Sequence, residues 1–292
     1  MIIDIHDVGH GACSVVTYPN GKRVMVDAGC RFDPYWSPSI HYCGQRMELL
    51  VLQNLDEDHV RNLPYVLNDM SIMGLLSNGS VDANALAQMK RQFGMDAGVR
   101  EAHDLLRRYG PLWNQQCDLG AGWWHALWNR YGLDFTDTNN LSVPIFFGWG
   151  GFSIVFGGDL EEAGWKMLLR RPEFVARLKS VNVFVASHHG RENGCCEEVF
   201  AVCKPDLVVI SDYEHRHMSQ QTAQWYRQRA KGIVDNTLPG TLLGGPQWRY
   251  VMTTRADGSL RIVVQPTGKF TVYTTPTPSP YADILASLGM TA

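Results

Sequence analysis

Apolar and polar residues alternate from the first position, and the period of two over Ile2 to His6 predicts a half-buried strand. Cys13 to Tyr18 and Arg23 to Asp27 read as two more strands. Between them stands Pro19-Asn20-Gly21-Lys22, where Asn-Gly favours the positive φ of a hairpin turn. A loop rich in proline and aromatics covers 31–46, and the apolar run Met47 to Leu52 predicts a buried strand. Asp58 to Asn68 carries Val60, Leu63, Val66 and Leu67 at helical spacing. Further strands are expected at Ser142 to Phe147, Phe152 to Phe156, Val181 to Ala186, Leu207 to Ser211, Trp248 to Thr253 and Leu260 to Gln265. Helices are expected at Ala83 to Phe93, Val99 to Arg108, Trp123 to Tyr131, Glu161 to Leu169, about 196–203 and Gln220 to Ala230.

Strands followed by helices place this chain in the α/β class. Trp113, Trp123, Trp124 and Trp128 fall within one stretch of sixteen residues, the pattern of a packed helical insertion over about 70–135. A protein partner binding there, or a substrate lid, stays open. The main domain is expected over 1–275, and 276–292, with Pro276, Pro278 and Pro280, reads as a C-terminal tail.

Composition narrows the function classes. Across 292 residues, 45% hydrophobic and 19% charged content is that of a globular protein. No run of 18 apolar residues predicts a membrane span, and the N-terminus has the pattern of a strand and not of a secretory leader. Seven cysteines without a C-x-x-C pair suit a reducing compartment, so a cytoplasmic location is expected. A formal net charge of −3 with scattered basic residues argues against a broad electrostatic clamp on nucleic acid. It leaves a local groove, a small nucleotide or a metal-bridged phosphate.

The candidate chemistry recurs at one kind of place, the loop after a buried strand. Asp27 sits at one such end, Asp56, Asp58 and His59 at the next, then Asp159, His188 with His189, and His215 with His217. Open α/β sheets collect ligand sites at strand C-termini. The acidic stretch Asn54 to His59 could be a capped helix start, with Asp56 or Asp58 as the cap. Five such loops drawing on Asp, His and Asn fit a dinuclear metal site better. Two cations sharing a bridging carboxylate would activate water and clamp the oxygens of a phosphoester.

These residues also carry a resemblance. Asp7-Val8-Gly9-His10-Gly11, Val26-Asp27-Ala28-Gly29, Asp56-x-Asp58-His59, Asn139-Asn140-x-Ser142, Gly158-Asp159, His188-His189-Gly190 and His217 stand in the order and spacing of the metallo-β-lactamase superfamily. The chain most resembles the soluble metallo-β-lactamase domain of ComEC-type DNA-uptake proteins and their free-standing relatives, over residues 1 to about 265 apart from the insertion. The resemblance implies an αββα sandwich and one or two divalent ions, Zn, Mn or Mg. One ion would be held by Asp58, His59 and His217, with Asp159 bridging. The second would use Asn54, Asp56, Asp159 and the histidine pair, with His188 as the ligand and His189 behind it or facing phosphate.

Asp58, Asp159 and His188 are the implied catalytic residues. Asp27 would orient the acidic loop, and Asn139, Asn140 and Ser142 would line the pocket. Arg191 is a candidate phosphate contact, because its guanidinium fork matches phosphate geometry. His215 could replace His217, with Arg216 between them able to meet a phosphate. His10 reads equally as a pocket residue or a structural histidine, and His41, His103 and His125 as surface or packing residues. Relatives place histidine where this chain has Asn54. A neutral amide suits Mg or Mn better than Zn, so the second site is expected to be weaker, to hold a harder metal or to be empty.

The function implied is a metal-dependent phosphodiesterase or nuclease acting on DNA or nucleotides through metal-activated water. Lactone or thioester hydrolysis is the enzymatic alternative. The non-enzymatic one is a degenerate metal-binding module that meets a protein through the tryptophan-rich segment.

Overall fold

The structure, a computed structural model, describes residues 1–111, 117–213, 221–234 and 247–275. The chain first lays down Ile2–Ile5 (β1), Ser14–Thr17 (β2) and Arg23–Val26 (β3) as an antiparallel meander, as the Asn-Gly turn predicted. Leu49–Val51 (β4) and Leu75–Leu76 (β5) then add in parallel. A second sheet follows. Trp123–Ala126 (β6), Ile145–Trp149 (β7) and Phe152–Phe156 (β8) are antiparallel, and Val183–Val185 (β9), Leu207–Ile210 (β10) and Val251–Thr253 (β11) continue in parallel. The chain returns to the first sheet with Ser259–Val264 (β12) beside β1 and Phe270–Thr275 (β13) outside it. The strand orders are thus β13-β12-β1-β2-β3-β4-β5 and β6-β7-β8-β9-β10-β11.

Period-two patterning sorts these strands into layers. In β4, Leu49 and Val51 face the second sheet, where they share a core with Phe147, Ile154 and Val183, while Leu50 points the other way. Leu50 and Met25 pack on the helices Glu57–Val60 (α1), Leu63–Asp69 (α2), Ala83–Met89 (α3) and Ala97–Tyr109 (α4), through Val60, Leu63, Leu86 and Leu105. Beyond the second sheet, Val155 and Phe184 pack on Glu162–Leu168 (α5), Pro172–Leu178 (α6) and Glu197–Val202 (α7), through Trp165, Phe174 and Phe200. Helices, two sheets and helices make an αββα sandwich. Both faces of the central strands are buried, which is why Leu49–Val51 and Leu207–Ile210 are continuous apolar runs in the sequence.

Three local expectations change. Trp123 to Tyr131 is not a helix, because Trp123–Ala126 is an edge strand paired with β7. Trp123 lies opposite Gly148, and a Cβ there would stand 2.1 Å from the indole. The glycine makes room for a ring in the sheet that helical periodicity misplaced. The helix expected over Asp58 to Asn68 is two. The Asn62 N–H donates to the carbonyl of Ala28 at 2.8 Å, and Pro64 has no N–H to continue the ladder. Neither α6 nor β13 was expected. Within 70–135, α3 and α4 belong to the outer helical layer, and β5 and β6 to the two sheets. Trp124 and Trp128 pack half-buried against the inter-sheet core. Trp113 and the tail 276–292 lie outside the described residues. Among those residues, no helix is long and apolar enough to cross a membrane.

Candidate metal centre

Three strand ends deliver the four residues of the site. Asp58 and His59 start α1 after β4, Asp159 follows β8, and His189 follows β9. One ligand atom from each lies within 4.8 Å of the others, and no second such group of His, Cys, Asp and Glu exists among the described residues. His59 Nε2 is 3.1 Å from Asp159 Oδ1. His189 Nε2 is 3.2 Å from Asp58 Oδ2 and 3.6 Å from Asp159 Oδ1.

Each imidazole is fixed from behind. The Nδ1 of His189 is 2.9 Å from the carbonyl oxygen of Ser211, which can only accept, so Nδ1 carries a proton. The Nδ1 of His59 is likewise 2.8 Å from Asp27 Oδ2. In the neutral ring this leaves both Nε2 lone pairs directed into the cluster, as a metal requires. His59 Nε2, His189 Nε2 and Asp159 Oδ1 are buried without a hydrogen-bond partner. Three converging buried atoms without partners fit a bound cation. Two nitrogens and two carboxylates suit a divalent transition metal.

The backbone is strained to make this arrangement. Asp27, His188 and His189 are the non-glycine residues with positive φ among those described, at 59°, 50° and 51°. Such conformations cost roughly 1 kcal/mol each and persist where surrounding structure imposes them. Asp27 is held by its N–H on the Val51 carbonyl and by Oδ1 accepting from the Gln53 N–H at 2.7 Å. The Gln53 side chain donates in turn to the carbonyls of Val143 and Phe156, so the acidic loop is tied to the second sheet. The Asp159 N–H donates to Ser142 Oγ at 3.0 Å. Gly11 and Gly29 allow the first glycine loop against the turn bearing Asp58, since a Cβ at either would come within 2.7 Å of the Asp58 carbonyl.

Charges in the cluster support one another. Burial disfavours the His59 imidazolium, yet Asp159 and Asp27 outweigh it and raise the pKa well above the ordinary histidine value. Burial likewise opposes charge on His189, and Asp159 and Asp58 overcome it in the same direction. For Asp58 and Asp159 burial pushes upward, and the two imidazoles hold both carboxyls well below their usual range. A cation bound among these groups would compete with protons for the two rings.

A void of ≈ 30 Å³ lies under the cluster between the sheets, lined by Asp27, His59, Asp159 and His189. Above it an open cavity of ≈ 350 Å³ is lined by His10, Asp56, Asp58, Asn139, His188 and Arg191. His10 does face the pocket, 3.4 Å from Asp58 Oδ2, and burial and His189 lower its pKa to about 4. His188, expected as a ligand, turns to this rim instead. Its Nε2 accepts from Arg191 at 3.2 Å, and its Nδ1 is 3.8 Å from Glu161 and without a hydrogen bond. Arg191 keeps a buried Nε without a partner.

The remaining expected residues scatter. Asp56 forms an ion pair with Lys90, and its Oδ2 accepts from Thr138 Oγ1 at 2.9 Å. Asn54 Oδ1 accepts from the Asp56 N–H at 3.0 Å, and its Nδ2 donates to Asn139 Oδ1 at 3.3 Å. Asn140 binds Asp137 and the Gly164 N–H, a brace for the start of α5 and not part of the cavity lining. His41 packs edge-on to His6 and tilted against Trp36, and His41, His103 and His125 lie outside the cluster. His215, Arg216 and His217 lie outside the described residues. Sequence reasoning missed Glu161, which collects Asn139 and Asn193, and Lys90. Glu161 lies two residues past Asp159 and could have been flagged. Nothing local marks Lys90.

No protein-family model matches the chain. It is 22% identical over 271 residues to ComE operon protein 3 of Bacillus subtilis, a match covering 85% of this chain and 33% of that protein. The chain thus spans about a third of the length of that curated relative. Among solved structures it is similar to CmlA, a diiron β-hydroxylase from Streptomyces venezuelae, with TM-score 0.48, 14% identity, and 78% of this chain and 51% of that one covered. It is also similar to the metallo-β-lactamase fold protein YhfI from Bacillus subtilis, with TM-score 0.41, 9% identity, and 75% and 90% covered.

Proposed function

We propose that this chain is a metal-dependent hydrolase acting on phosphodiesters, a nuclease or nucleotide phosphodiesterase. The observation that carries the reading is the convergence of two tautomer-fixed imidazoles and two carboxylates beneath an open cavity with a guanidinium at its rim. A divalent ion, Zn or Mn on this donor set, would polarise the scissile group and lower the pKa of an attacking water. Asp58, His59, Asp159 and His189 would hold it, and Asp27 and the Ser211 carbonyl keep the rings aimed.

Arg191, which lines the cavity, would offer its guanidinium to a nonbridging oxygen of the substrate. His188, its Nε2 accepting from Arg191, would hold that guanidinium at the cavity rim. The modest net charge suits a short stretch of single strand or a dinucleotide better than a long duplex. The motif resemblance to ComEC-type proteins supports DNA among such substrates.

The test is incubation of the purified protein with Mn²⁺ or Zn²⁺ and labelled single-stranded DNA, RNA and dinucleotides. Metal-dependent cleavage stopped by EDTA is expected. Cleavage that EDTA leaves untouched, or hydrolysis confined to a lactone or thioester, would exclude the phosphodiesterase reading.

A further inference from the structure

Beside the four-residue cluster lies a second set of potential ligands, and apart from the His188 Nδ1 its ligand atoms are largely engaged. Asp56 gives one carboxylate oxygen to the Lys90 ammonium and the other to Thr138. Asn54 spends its carbonyl oxygen on the Asp56 N–H and its amide nitrogen on Asn139. Asn139 donates onward to Glu161 at 3.1 Å, and Glu161 also accepts from Asn193 at 2.8 Å. The Nε2 of His188 faces the Arg191 guanidinium, which repels a cation. A divalent ion entering here would have to displace an ammonium from Asp56 and compete with a guanidinium, for a neutral amide and a second carboxylate, Glu161, that two amides already hold. The residues present do not fit a second metal.

We infer that the chain holds a single divalent ion, and that the Lys90 ammonium takes the place of a second one. The charges agree with this. Asp58 and Asp159 together match one divalent cation, and Asp56 is neutralised separately by Lys90. The lysine projects from the C-terminal end of α3, with 13% of its side chain exposed, so the ion pair is shielded and built into the helical layer. Asn54 and Lys90 then form one device. The amide shapes the acidic turn, and the ammonium, which chelation cannot remove, supplies the positive charge on that flank.

The inference rests on the metal-centre reading but not on hydrolysis, so it is tested by counting ions. The wild-type protein, Asp159→Ala, Lys90→Ala and the double variant Asn54→His with Lys90→Ala are titrated with Mn²⁺ and with Zn²⁺. Bound ions are read by native mass spectrometry and elemental analysis, and circular dichroism checks folding. Wild type is expected to saturate at one ion per chain, and the folded double variant at two. Two ions on wild type, or one on the folded double variant, overturns the inference. No ion on wild type overturns it as well, and takes the metal-centre reading down with it.

Discussion

Two neighbouring groups of polar side chains sit at the same end of the two sheets, and they have opposite characters. In the deep group, His59 and His189 are anchored through Nδ1 by acceptor-only oxygens, and their other nitrogens end without partners among carboxylates. On the flank, Asn54 and Asp56 are fully engaged by Asn139, Lys90 and Thr138, and the ring of His188 meets a guanidinium. Both groups have metal-binding residue types in them. What separates them is how the atoms meet. The deep group aims two open imidazole nitrogens at two carboxylates. On the flank the amide and carboxylate are engaged, and the open atoms, His188 Nδ1 and Arg191 Nε, belong to a ring and the guanidinium beside it.

The largest expected effect comes from breaking the deep group. Asp159→Ala should abolish metal uptake and lower metal-dependent cleavage by about 10³-fold or more, measured by calorimetry and single-turnover hydrolysis. Lys90→Ala should leave uptake at the deep site intact, and equal losses in the two variants would erase the contrast between the groups.

Proton competition sharpens the same contrast. His59 and His189 titrate above the ordinary histidine value without metal, so protons and the ion compete for the same lone pairs. Metal affinity should therefore keep climbing with pH above 6.5, by up to about a hundredfold per pH unit where both rings release a proton. An affinity that levels off at pH 6.5 would contradict the raised pKa values. Asp27→Asn comes next in size. Asparagine tolerates the positive φ at that position, so the loop should fold, but the anchor on His59 loses its charge. Metal affinity should fall by about 10–100-fold with little change in melting temperature.

On the flank, Arg191→Ala should raise KM about tenfold with a smaller change in kcat, as befits a group that binds phosphate. Asn140→Ala is expected to cost about 1–3 kcal/mol of stability through its bonds to Asp137 and Gly164, with metal affinity unchanged. A change in metal affinity there would place Asn140 nearer the chemistry than its hydrogen bonds do.

Much of the sandwich was legible because its central strands are short apolar runs that give way to small or polar loop residues. Leu49–Val51, Phe152–Phe156, Val183–Val185 and Leu207–Ile210 all fall inside expected segments. Trp123–Ala126 was not legible, since the cross-strand partner that accommodates its first indole, Gly148, is twenty-five residues away in sequence. The same limit applies to the site. That Asp58, His59 and Asp159 would meet could be read from strand-end positions. Which ring of His188-His189 turns inward could not, because the choice depends on two successive left-handed residues and on a carbonyl from the loop after β10. Lys90 was invisible for a related reason: a lysine at a helix end is usually solvated, and only the packing of α3 brings it to Asp56.

The central claim is that Asp58, His59, Asp159 and His189 hold the metal. Crystals grown with Mn²⁺ and measured at the manganese absorption edge test it directly. One anomalous peak is expected, about 2.0–2.3 Å from the Nε2 atoms of His59 and His189. A peak on Asp56 and His188 instead, or none within reach of His189, would contradict it.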